Sequence, residues 1–192
     1  MLVPFKNEAL TDFTQLENQK KMEEALAYVE SRMGESYPLY IDGERITTER
    51  KIKSINPSKK SEIVGLVSSA DKALAEKAIA AADRAFNEWR NVCPRVRSEY
   101  LFKAAAMMRR RKLEFAAWMV VEEGKSWVEA DADVAEAIDF LDFYARQNIE
   151  LASPRELVHI PHEDNELRYI PLGVGVVIPP WNFPLAICVG MT

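Results

Sequence analysis

The chain has 192 residues, 48% apolar and 29% charged, and its 25 basic against 30 acidic side chains leave a formal charge of −5. This composition excludes disorder and fibrous repeats, allows a domain with a sizeable core, and gives no overall field that would draw the chain to nucleic acid or to an anionic membrane. No stretch reaches the roughly 18 apolar residues of a membrane span, and "MLVPFKNEAL" lacks a basic start and an apolar run, so a soluble, cytoplasmic protein is expected.

In residues 16–33, Met22, Leu26, Val29 and Met33 recur at helical spacing, which predicts an amphipathic leading helix. In "YPLYIDGERI", Asp42-Gly43 between two short apolar segments predicts a hairpin. Alternation over residues 51–55, the turn pair Asn56-Pro57 and the run over residues 63–67 predict further strands. Asp71 then caps a helix reaching Trp89, with Leu74, Ala78, Ala82, Ala85 and Trp89 as its stripe.

Pro94 opens another helix, with Leu101, Ala104, Ala105 and Met108 facing inward, and a segment carrying Leu113, Ala116, Ala117 and Val120 continues or abuts it. The basic run over residues 109–112 lies in that helical pattern and reads as a solvated face. Gly124 stops the element as a C-terminal cap. Ser126 and Glu129 have capping-box spacing and open a long helix through about Tyr144, with Val134, Ile138, Leu141 and Ala145 on one side. Glu136 shares a face with Phe140 and Phe143, so it is either a solvated residue at the border of the stripe or a carboxylate beside an aromatic wall.

Ser153-Pro154 breaks the helix, and "RELVHIP" and "ELRYIP" read as two strands around a polar loop. His159 and His162 are the only histidines; without a helical i,i+4 frame or a thiolate they predict no metal site. Residues 173–178 form a continuous valine-rich run, the pattern of a strand buried on both faces of a parallel sheet. Pro179-Pro180 ends it, and Pro184 fits the first turn of a helix over residues 185–189.

Trp181, Asn182 and Phe183 thus occupy a strand-to-helix loop, where open α/β sheets gather ligands. The Asn182 amide, beside a helix's positive end, suits an oxyanion donor; the alternative is an Asn turn that stabilises the loop. Trp181 packs against a flat ligand or against core. Gly173 and Gly175 precede the turn, so the dinucleotide fingerprint G-x-G-x-x-G is absent. Cys93 and Cys188 stand in no metal spacing and fit a reducing compartment, each as a buried or surface thiol.

The stretch "PLGVGVVIPPWNFPLAI" resembles the aldehyde dehydrogenase superfamily, in which the asparagine of P-W-N-F-P is the oxyanion donor. "YIDGE", "NPS", "AEKAIAAADRAFNEWR" and "EEGKSWVEADADVAEAIDFLDFYA" resemble the same family in the same order, and "PFKNEALTDF" resembles the amino-terminal extension of the branch that oxidises L-glutamate γ-semialdehyde. The resemblance implies an α/β fold, here its amino-terminal portion: an extension helix (residues 1–36), a hairpin and helical part of the NAD-binding domain (37–152), bridging or oligomerisation strands (153–171), and the first strand-loop-helix of a Rossmann-like parallel sheet (172–192). It implies covalent cysteine catalysis with NAD, in a homo-oligomer, on a small aldehyde that yields glutamate.

The resemblance also implies that Asn182 is the oxyanion donor, that Ile178, Pro179, Pro180 and Trp181 contact the nicotinamide half of the cofactor, and that Phe183 and Glu136 face the substrate. It leaves the nucleophile, the general base and the adenosine site outside these residues: Cys188, six residues after Asn182, and Cys93 match no nucleophile motif. The chain alone is therefore expected to be inactive. The alternatives are another semialdehyde dehydrogenase, or a noncatalytic helical module that associates through the uncovered strand over residues 174–178.

Overall fold

A computed structural model describes residues 2–192 as a mixed α/β, mostly helical structure. An arm without helix or strand leads into α1 (Leu16–Ser31), which buries Met22 and Val29 fully and sets Leu26 and Met33 against the same cluster. Five short strands follow: β1 (Glu35–Tyr37), β2 (Leu39–Ile41), β3 (Glu44–Ile46), β4 (Lys51–Ile55) and β5 (Ile63–Ser68). The hairpin β2–β3 turns at Asp42 and Gly43, with φ of 55° and 76°, the two left-handed positions of a type I′ turn. β4 pairs antiparallel with β5 as expected, and β1 adds in parallel on the other edge of β5. β1 was not foreseen: "SYPLYI" reads as one apolar segment, yet Pro38 divides it, and the two sides join different sheets.

Asp71 caps α2 (Lys72–Trp89) by accepting the Leu74 N–H at 2.9 Å. Leu74 and Ala78 of its expected stripe are half-buried, but Ala82, Ala85 and Trp89 are exposed and Ala81 is the buried position. The reason is packing: α2 leans on β2, while Trp89 at its end meets the exposed Tyr100 ring, 5.8 Å away between centres. α3 (Pro94–Arg110) and α4 (Lys112–Glu123) are separate helices, interrupted at Arg111. Gly124, at φ 74°, closes α4 by donating its N–H to Val120 O.

The capping box opens α5 (Trp127–Leu151): Ser126 Oγ accepts the Glu129 N–H at 3.3 Å, and the Glu129 carboxylate accepts the Ser126 N–H at 3.4 Å. The helix runs on to Leu151 instead of ending near Tyr144. It is the central element, contacted by α3, α4 and α6 (Ala186–Met191). Val134, Ile138 and Ala145 are fully buried, and Ala130, Ala135 and Ala137 let the neighbours approach on other sides. Among the described residues no helix is long and apolar enough to cross a membrane.

Residues 154–180 form neither helix nor strand, which corrects the expectation of strands over 153–171 and 173–178. A strand exists only when a neighbour's N–H and C=O groups complete its ladder. β5 already has β1 and β4 on its two edges, and no described strand pairs with 173–178. The apolar side chains that the pattern assigned to a buried sheet stand exposed, Val176 at 71% and Ile178 at 80%.

Two interactions on α5 tie the arm to the helices. Asp131, 1% exposed, accepts the Thr11 N–H at 2.8 Å, the Thr11 hydroxyl at 2.6 Å and the Lys112 ammonium at 2.8 Å. Two turns along the same face, Asp139 accepts the Glu8 N–H at 2.7 Å and the Asn7 amide at 2.8 Å. Replacing Asp131 with Ala leaves the Lys112 ammonium, 11% exposed, without its counter-ion and should lower unfolding stability by about 3–5 kcal/mol in urea titration. Lys20→Ala, which removes an exposed ion pair with Glu24, should change it by no more than about 0.5 kcal/mol.

Candidate active site

The loop over residues 181–185 is a series of turns ending at α6, whose first residue, Ala186, is fully buried. Leu185 and Val189 pack on the core cluster, drawing α6 onto α5. Pro184 therefore sits just before the helix and not in its first turn, because Leu185 is the capping position. Beneath it lies Asp133 of α5, 1% exposed, whose Oδ1 accepts the Ala186 N–H at 2.7 Å. Its Oδ2 accepts the Lys125 ammonium at 2.6 Å, and Lys125 Nζ lies 4.6 Å from the centre of the Phe183 ring. Lys125 falls between the Gly124 cap of α4 and the Ser126 cap of α5, two backbone features that fix where its side chain starts.

The electrostatics of this corner follow from its burial. The Glu123 carboxyl is pushed above its ordinary value by burial; the Lys125 ammonium opposes the rise, and Asp133 and Glu122 add to it. The positive end of α6 is already occupied by the Asp133 carboxylate. That carboxylate accepts one of the N–H groups at the start of α6, the Ala186 N–H. Asn182 is exposed, and its carboxamide forms no hydrogen bond with another described residue.

Trp181 is 83% exposed and does not pack on the core of the described residues. Phe183 is 40% exposed, with one face on Lys125. Ile178 and Pro180 are exposed and Pro179 is half-buried, forming the approach to the loop. Glu136 is exposed on α5. Helical spacing sets it between Asp133, under the start of α6, and Phe140, against which Gly190 of α6 packs. Phe140 stacks on Tyr144, with ring centres 5.6 Å apart and planes 9° apart, while Phe143 meets Phe5 of the arm edge-on at 5.5 Å. The aromatic wall beside Glu136 is thus divided: Phe140 supports α6 and Phe143 supports the arm.

Two concave clefts lie elsewhere, one lined by Tyr28, Tyr37 and Trp118, the other by Trp89, Arg97, Asn148 and Tyr169, and neither includes Asn182. Cys93 is exposed at the start of α3, and Cys188 is half-buried within α6. His159 and His162 are exposed on the segment that follows α5. Asp133 and Lys125 carry no local signal in the sequence, since a polar residue on a long helix and a lysine between caps both read as solvated.

The chain belongs to the aldehyde dehydrogenase family, whose model matches residues 44–192. Within that family it is similar to 1-pyrroline-5-carboxylate dehydrogenase 1 of Halalkalibacterium halodurans, 58% identical over 190 residues, which covers 99% of this chain and 37% of the relative. The structure of 1-pyrroline-5-carboxylate dehydrogenase from Thermus with bound NAD superposes with a TM-score of 0.95 at 51% identity, again covering 99% of this chain and 37% of that one. Proline utilization A from Bdellovibrio bacteriovorus gives a TM-score of 0.95 at 38% identity, covering 98% of this chain and 20% of that one. The chain spans 37% of the length of the curated relatives it matches.

The docking of α6 has a sharp steric limit. A Cβ added at Gly190 would meet Phe140 Cδ2 at 2.7 Å, and that ring is held by its stack on Tyr144. Gly190→Ala should therefore loosen α6, even though alanine favours a helix by about 0.5–1 kcal/mol, because overpacking costs about 1–3 kcal/mol. Protection of the Val189 amide against hydrogen exchange should fall by about 30-fold to 70-fold at the larger cost; this amide bonds to Leu185 O at 2.9 Å.

Proposed function

We propose that this chain supplies the amino-terminal part of an NAD-dependent dehydrogenase that oxidises L-glutamate γ-semialdehyde, formed from 1-pyrroline-5-carboxylate, to glutamate. The observation that carries the proposal is the Asn182 carboxamide: exposed, without a hydrogen bond to another described residue, and on a loop fixed to the core at Ala186. Thiolate attack on an aldehyde turns its carbonyl oxygen negative, and an amide N–H already in place stabilises that charge without reorganising. The thiolate is assigned to a segment outside these residues, since Cys188 is committed to α6 and Cys93 to the start of α3.

NAD+, when bound, would supply the hydride acceptor for oxidation of the thiolate adduct to a thioester, and water would then release the acid and return the thiolate. The residues assigned to the nicotinamide half fit a flat ring: Ile178 and Trp181 offer exposed apolar faces, and Pro179-Pro180 contributes no N–H to compete. Phe183, with its free edge, is assigned to the substrate stem. Glu136 is assigned to the ammonium of the amino-acid aldehyde, for which an exposed carboxylate on the same side of α5 is a suitable partner. Residues 154–171, with Val158 85% and Ile170 80% exposed, are assigned to contacts within a homo-oligomer of the whole enzyme.

The test is a chimera in which residues 1–192 replace the matching segment of the Halalkalibacterium halodurans relative, assayed by NADH absorbance with glutamate γ-semialdehyde. The chimera should turn over and the 192-residue chain alone should not. Asn182→Ala should lower kcat by about 100-fold to 1000-fold. An inactive, folded chimera, or an Asn182→Ala variant as fast as its parent, would overturn the proposal. Glu136→Ala should raise KM for the amino-acid aldehyde more than for a simple alkyl aldehyde, and an equal rise for both would remove its ammonium contact.

A further inference from the structure

The loop that carries Asn182 is held by two charged groups beneath it, Asp133 and Lys125. Asp133 is buried with both oxygens occupied, one by the Ala186 N–H at 2.7 Å and the other by the Lys125 ammonium at 2.6 Å. The same ammonium lies against the Phe183 ring at 4.6 Å. The loop is therefore fixed one residue after Asn182 and again four residues after it. Both fixing points lead back to one carboxylate on the most buried helix of the fold.

A buried ion pair is an expensive way to hold a six-residue helix. Taking both charges from water costs several kcal/mol, and an apolar replacement of similar volume is often no less stable. What the charged pair adds is direction. The carboxylate oxygens accept only where the Ala186 N–H and the ammonium point, and the ammonium is most favourable over the face of an aromatic ring.

Resting on the assignment of Asn182 as the oxyanion donor, we propose that Asp133 and Lys125 are positioning residues that set the place of the Asn182 amide through Ala186 and Phe183. Neither exchanges a proton or an electron in the reaction. Displacing a reacting group's partner by about 1 Å costs on the order of 100-fold in rate, so a loosened loop should be felt in kcat and only weakly in KM.

The experiment is a double-mutant cycle in the same chimera, with kcat normalised to active sites titrated by the first-turnover burst of NADH. Lys125→Met keeps the stem and removes the charge, and Asp133→Asn keeps an acceptor for Ala186 while losing the ion pair. Each should lower kcat by about 10-fold to 100-fold. In the Asn182→Ala background each should cost less than about 2-fold, because the group they place is gone. Lys125→Arg, which preserves the charge on Asp133 and on the ring, should stay within about 3-fold of the parent.

Should Lys125→Met and Asp133→Asn slow the enzyme by the same factor with and without the Asn182 amide, they are general structural supports, and the positioning role is overturned while the oxyanion assignment stands. If Asn182→Ala alone leaves kcat unchanged, the oxyanion assignment fails first. A readout without activity covers a variant that assembles poorly. In the chimera, protection of the Ala186 amide against hydrogen exchange should fall by about 10-fold or more in Lys125→Met. An unchanged value would also overturn the proposal.

Discussion

Asp131 and Asp133 each stand about 1% exposed on α5, and each holds an ammonium within 3 Å. Two carboxylates on a helix buried on most sides are tolerable only because every oxygen is engaged, and no buried side-chain polar atom among the described residues lacks a partner. Their different partners organise the structure. Asp131 ties the arm and α4 to α5, while Asp133 ties α6 and the connection between α4 and α5. Because the two point to different neighbours from one rigid rod, the arm, α4 and the α6 loop share a single frame of reference.

The chemistry proposed for the chain depends on that frame. A carboxamide stabilises a developing oxyanion only if it is already aimed, since reorienting it during the reaction would return the energy gained. Asn182 is exposed, yet its neighbours Phe183 and Ala186 are attached to the core, so its freedom is limited from one side. The residues before it, 154–180, have no ladder of their own. At the start of α6 the Ala186 N–H is already given to Asp133.

How much of this was legible depends on whether a feature is local. The Asp42-Gly43 turn, the Gly124 stop and the Ser126–Glu129 capping box are set by a few adjacent residues, and each stands where its sequence signal put it. The stripe of Val134, Ile138, Leu141 and Ala145 was legible for the same reason, since helical period alone decides it. Features that need a distant partner were not. β1 exists because β5 has an edge for it, and the run over residues 173–178 reads as a strand but has no described neighbour to pair with. The Asn182 loop was found by motif and by position between an apolar run and a helix. Asp133 and Lys125 were invisible because their meaning lies in each other and in Phe183, which is 58 residues from Lys125 in sequence (183 − 125).

The most direct measurement is a crystal structure of the whole enzyme built on this chain, trapped with an aldehyde bound covalently to its nucleophile. The account predicts the Asn182 amide nitrogen about 2.7–3.1 Å from the oxygen of the adduct, with the Ala186 N–H and the Lys125 ammonium still on Asp133. An adduct oxygen held by other donors, with the Asn182 amide turned away from it, would contradict the account.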